Sequence, residues 1–196
     1  MRFAVLASGN GSNFEAIAQA VETGHIEAEL ALLFSDHQDA YVLERGKNFS
    51  IPTETFGLKN FPNKKAYEEA LLKLLKTYEI DLVVLAGYMR IVGDGLLEAF
   101  PKKIINVHPS LLPAFPGLHG INDAYQAGVK ETGVTIHYID HGVDTGPIIA
   151  QEKVTLDPRE SLETLELKIH QAEHELYPKV LAKVIKDLKK ATSKKD

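Results

Sequence analysis

The chain has 196 residues, 44% of them hydrophobic and 25% charged, with a formal net charge of −5; that length fits one domain with a substantial core. Net acidity disfavours broad binding to a nucleic-acid backbone, although a local cluster can still hold one small phosphate. Without cysteine, disulfides, thiol catalysis and thiolate metal sites are excluded together, which suits a reducing, cytoplasmic compartment.

Residues 2–7 form an apolar run, followed by a Gly/Ser/Asn turn and then NFEAIAQAVETG, whose apolar residues recur at helical spacing. That order predicts a strand, a loop and a helix. The five-residue apolar run in MRFAVLAS falls short of a signal-peptide core, and no stretch reaches membrane-spanning length, so no membrane partner is expected. AELALLF (28–34) predicts a second strand, 38–48 a helix, and IPTETF (51–56) a short peripheral strand. KAYEEALLKLLKTYEI predicts a strongly amphipathic helix. DLVVLAG (81–87) is a continuous apolar strand of the kind buried on both faces in parallel sheets. A short helix near 94–100 leads to KIINVH, and a further helix near 119–128 leads to TGVTIHYI and PIIAQEKV. A long helix over about 160–189 follows, with about 190–196 expected to be a frayed, lysine-rich tail of the same domain.

Strands alternating with helices imply right-handed βαβ crossovers and a doubly wound, mostly parallel α/β sheet. The loop DHGVDTG is too short for a crossover, so the last two strands are expected to pair antiparallel. Ligands of such sheets bind outside the carboxyl ends of the strands. SGNGSN, AGYMRIVG and NVHPSLLP all fall there.

SGNGSN (8–13) has glycines at 9 and 11, but Phe14 stands where a dinucleotide fingerprint needs its third glycine, and no Gly-Lys-Ser/Thr follows. What remains is a turn entering a helix, which either holds an anion on free backbone N–H groups or simply joins a strand to a helix. In NVHPSLLP, Asn106 and His108 lie two apart on an extended segment and so share a face. Pro109 also keeps His108 out of the helical region. Asp140 and Asp144 sit in a glycine-bearing loop, where aspartates ordinarily make turns. A carboxylate beside His108 would orient the imidazole and favour its charged form. HQAEH (170–174) matches a zinc-peptidase pattern, but zinc needs a third protein ligand and only Glu175, Asp187 and Asp196 follow, so no metal is expected.

SGNGSN, LAGYMRI, INVHPSLLPAFPGLHG, GVTIHYIDHGVDTGPIIAQ and QAEHELYP, in that order and spanning Met1 to about Lys190, resemble the phosphoribosylglycinamide formyltransferase family. The Asn-x-His-Pro-Ser-Leu-Leu-Pro segment is shared with wider formyltransferases. The Gly-Asn-Gly-Ser-Asn turn, with a chain too short for those relatives' extra domains, points to the glycinamide ribonucleotide branch. The resemblance implies a Rossmann-like formyltransferase fold and transfer of a formyl group from 10-formyltetrahydrofolate to glycinamide ribonucleotide in purine biosynthesis. It implies small-molecule substrates only, no metal, and a monomer or weak homodimer. Asn106, His108 and Asp144 fall on the family's catalytic positions, where Asn106 and His108 would stabilise a tetrahedral intermediate and Asp144 would tune His108. Gly11, Ser12 and Asn13 match the positions that hold the nucleotide phosphate, and His170, Gln171, Ala172 and Glu173 those of the ribose and glycinamide side. Met89, Arg90, Ile91 and Val92 match the pterin segment, with Asn106 at the same site and Asp140, His141, Gly142, Val143 and Asp144 in the folate loop. Lys64 matches a cofactor position at which arginine is expected, and Ile121 and Asn122 replace a more basic pair. Two other readings stay open: a non-catalytic nucleotide-binding module, and a formyltetrahydrofolate hydrolase.

Overall fold

The N-terminal apolar run forms β1 (Arg2–Ala7), an interior strand of the computed structural model, which describes residues 1–193. The other strands are β2 (Glu29–Ser35), β3 (Thr53–Thr55), β4 (Leu82–Leu85), β5 (Ile104–His108), β6 (Glu131–Tyr138) and β7 (Ile148–Thr155). They make one sheet in the order β3-β2-β1-β4-β5-β6-β7. The helices are α1 (Ser12–Glu22), α2 (Val42–Asn48), α3 (Lys64–Thr77), α4 (Asp94–Ala99), α5 (Gly120–Gln126) and α6 (Leu162–Ser193).

Side-chain alternation divides the core in two. Phe3, Val5 and Ala7 face α1 and α6, where Phe14, Ile17, Tyr177 and Leu181 are buried. Ala4 and Leu6 face α3 and α4, with Tyr67, Leu71, Leu75 and Leu96. In β5, Ile105 and Val107 belong to the first cluster and Ile104 to the second. Asn106 and His108 therefore continue the Ile104 face, at the point where its apolar filling stops.

The antiparallel character starts one strand before the terminal hairpin: β6 pairs antiparallel with both β5 and β7. The segment after β5 is therefore no crossover, despite containing α5. It stays beyond the carboxyl end of β5, so that Thr135 pairs with His108 and Tyr138 with Ile105. Helix α6 runs on to Ser193, through the start of the expected tail; residues 194–196 lie outside the described residues. No described helix is long and apolar enough to cross a membrane.

Helix α6 is fixed by Tyr177, fully buried, whose hydroxyl donates to the Leu85 and Ile105 carbonyls at 2.7 and 3.2 Å. Burial pushes this phenol well above its ordinary pKa, so it stays a donor. One turn earlier on the same face, Glu173 is directed toward the start of α1.

Candidate active site

Four segments meet beyond the strand ends: the turn between β1 and α1, the loop after β4, the proline-rich loop after β5, and the loop between β6 and β7. They enclose two adjoining clefts. The first, about 600 Å³, is lined by residues 8–13 with His37, His170 and Glu173. The second, about 210 Å³, is lined by residues 87–92, Asn106, His108, Leu118, Ile139, Asp140 and residues 142–144. Gly87, Met89, Val107 and Pro109 form a wall common to both. Two roomier grooves, each about 790 Å³, run along α6, one of them reaching Ser12 at the start of α1. They lack a convergent pair such as Asn106 and His108, and size alone does not select them.

The first cleft is built around a helix start. Gly11 precedes α1 with φ of +81°, and a Cβ there would fall 2.2 Å from Val42 Cγ2, so both conformation and space require glycine. The first helical bond of the turn is made by Glu15 N–H to the Gly11 carbonyl, which leaves the Ser12 and Asn13 amides at the free end of the helix. Asn13 Nδ2 donates to Glu173 Oε2 at 3.0 Å, and His170 Nδ1 lies 3.1 Å from the same oxygen. Glu173 is buried, and its hydrogen bond to His170 raises the histidine's pKa above the ordinary value. Gln171 turns outward to Glu175, and Ala172 packs against the core, so neither lines this cleft. His174 lines the groove between α1 and α6 instead, so the two histidines of HQAEH do not converge. Among the described residues no group of three or more His, Asp or Glu is placed to hold a metal ion.

The second cleft brings the expected catalytic residues together. His108 is buried; its Nε2 lies 2.8 Å from the Phe115 carbonyl, which only accepts, so that nitrogen carries a hydrogen. Its other edge faces Asp144, with Nδ1 3.5 Å from Oδ2. That carboxylate also accepts the Gly117 N–H at 2.8 Å, which ties the folded-back 139–147 loop to the proline-rich loop. Asp144 sits at φ of +53°, a conformation that Asp and Asn tolerate better than most residues. Asn106 Nδ2 lies 3.3 Å from Nε2 of His137, its direct partner across β5 and β6. Asp140 accepts from Thr145 Oγ1 and Gly142 N–H, which hold its carboxyl below the ordinary pKa. His141 pairs with Asp94 of α4 at 2.9 Å.

Met89, Ile91, Leu118 and Val143 leave large apolar surfaces exposed at the mouth, from 56% to 75%. Arg90 behaves differently from an open cation. Its Nε lies 2.6 Å from Oδ2 of buried Asp36, and its guanidinium stacks over Tyr67. Asp36 also accepts from Ser8 Oγ at 2.6 Å, and Ser8 Oγ accepts the Met89 N–H at 2.9 Å. The loop after β4 is thus pinned to the ends of β1 and β2. Val92 lines the cleft from a nearly buried position. Lys64, at the start of α3, lies 3.7 Å from Glu68 and lines neither cleft. No sequence motif singles out Asp36 or His137, because what they touch depends on how the strands are paired. The polar His137 in the apolar alternation of GVTIHYI was the available signal.

Residues 1–181 match the family described as formyl transferase. The chain is 50% identical over 184 residues to phosphoribosylglycinamide formyltransferase of Bacillus subtilis, covering 94% of each. It is 37% identical over 182 residues to the enzyme of the same name from Escherichia coli, covering 93% of this chain and 86% of that one. Among solved structures, glycinamide ribonucleotide transformylase 1 of Geobacillus kaustophilus superimposes with a TM-score of 0.92 at 52% identity, over 94% of this chain and 98% of that one.

Proposed function

The chain belongs to the formyl transferase family, and from that premise we propose that it transfers the formyl group of 10-formyltetrahydrofolate to the amine of 5-phosphoribosylglycinamide. The observation that carries this reading is the pair of clefts sharing the wall at Met89, Val107 and Pro109, with Asn106 and His108 beside it. One cleft suits an anionic sugar phosphate: helix-start amides take the phosphate, and Glu173 accepts from hydroxyl or amine groups. The other suits a flat heteroaromatic ring, which would cover Met89, Ile91, Leu118 and Val143. Formyl folate is the cosubstrate of the family, and it supplies a formyl carbon on a nitrogen that can leave.

The residues then take distinct parts. As the amine attacks, the formyl oxygen gains negative charge, and an Asn106 N–H is the neutral donor available to it. The attacking amine sheds a proton and the departing nitrogen takes one up. His108 can hold that proton at Nδ1, the edge facing Asp144, because Nε2 is occupied by the Phe115 carbonyl. Asp144 orients the ring and balances its charge.

The test is acceptor-dependent turnover by the purified protein. With 10-formyltetrahydrofolate and glycinamide ribonucleotide, formyl glycinamide ribonucleotide should accumulate in step with loss of the donor. Formate released without acceptor would indicate a hydrolase, and binding of the nucleotide without turnover would indicate a binding module.

A further inference from the structure

His137, the penultimate residue of β6, is fully buried and lines neither cleft, yet it faces the polar cluster. Its Nδ1 lies 3.0 Å from the Tyr138 carbonyl. A carbonyl only accepts, so Nδ1 carries the hydrogen and the neutral ring presents a bare lone pair at Nε2. The group within reach of that lone pair is the Asn106 amide, at 3.3 Å; Asp144 Oδ1 is farther away, at 3.9 Å. An acceptor there selects one of the two orientations of the asparagine amide. With Nδ2 toward His137, one N–H is held and the second stays free; reversed, Oδ1 would confront a lone pair.

We propose that His137 is a positioning residue that fixes the Asn106 amide in its donor orientation, an inference that rests on the role given to Asn106 above. Burial on β6, directly opposite Asn106, holds the imidazole in place before any substrate arrives. Donors fixed in advance are the ones that favour a developing charge, because they do not reorient during the reaction.

Two side chains of matched chemistry separate this role from simple packing. The carbonyl of glutamine reaches the place of Nε2, whereas that of asparagine stops near Nδ1. His137→Gln should lose no more than about threefold in kcat, and His137→Asn should lose at least about tenfold with both KM values nearly unchanged. In an Asn106→Ala background, His137→Asn should cost less than about threefold more, because the amide it orients is gone. Equal kcat for the Gln and Asn variants, or losses that multiply in the double variant, would overturn the inference. Should His137→Asn fail to fold, His137→Phe, which also lacks the acceptor, takes its place in the cycle. If Asn106→Ala alone left turnover intact, the mechanism proposed above would fail. Slow Asn106→Ala with a multiplicative cycle would remove only the role of His137.

Discussion

The two clefts differ in how they are made. The first cleft rests on one continuous turn, residues 8–13, with a single buried carboxylate from α6. The second cleft is assembled from three loops distant in sequence, and its mouth is apolar and exposed. The first is suited to grip a charged group with backbone amides that can scarcely move. The second offers surface and shape, and its geometry depends on contacts such as Asp144 to Gly117 and Asp36 to Arg90. On the proposed assignment, changes on the first side should act through nucleotide affinity, changes at the mouth of the second through donor affinity, and changes at Asn106, His108 and Asp144, beside the shared wall, through turnover.

The largest effect belongs to the residues beside the wall. Asn106→Ala should lower kcat by about 10²-fold to 10³-fold while both ligands still bind, as checked by turnover assays and calorimetry. Weakened binding with unchanged turnover would move Asn106 from chemistry to recognition. Asp144→Asn keeps the backbone conformation and an acceptor for the Gly117 N–H, so it removes charge with little change of shape. A loss of about 10²-fold in kcat, with nucleotide affinity intact, is expected.

Smaller effects should separate the two sides. Asn13→Ala removes the donor that holds Glu173 and should raise the nucleotide KM about tenfold without changing the donor KM. Asp36→Asn weakens the clamp on the 88–92 loop and should raise the donor KM several-fold, about fivefold, while sparing the nucleotide. Steady-state kinetics with each substrate varied in turn would reveal a crossover, which would break the distinction between the clefts.

The smallest effect is spectroscopic. His170 should titrate above 6.5, because Glu173 holds its proton, and His137 below 6.5, because burial opposes its charge. Glu173→Gln should lower the first and leave the second. The signs carry over to stability. The His170 contribution is present below its unfolded pKa and lost as pH rises through the raised folded one. For His137 the unfolded chain binds the proton more readily, so stability is full above the unfolded pKa and falls as pH drops toward the lowered folded one. NMR titration of the imidazoles would check the order.

Much of this is legible in the sequence. Continuous apolar runs gave β1, β4 and the start of β5, and the period-two rule put Asn106 and His108 on one face, because both signals are local. The glycine turn likewise announced a helix start with free amides. What stayed hidden depends on long-range register. A helical segment before β6 has the pattern of a crossover, whereas the chain stays at one sheet end and β6 runs antiparallel to β5. Arg90 is a cation in the sequence, but burial of Asp36 claims its side chain. The pairing of His137 with Asn106 follows from a register that composition does not encode.

The central claim is that the two clefts open onto one wall, so that both substrates can occupy them side by side. The direct test is calorimetry with a single molecule in which the glycinamide ribonucleotide amine is joined by a short linker to the folate nitrogen. Adjoining clefts predict binding at least about 10²-fold tighter than that of the stronger separate half, since the second contact becomes intramolecular. Affinity no better than that half, with the other half still able to bind beside it, would contradict the account.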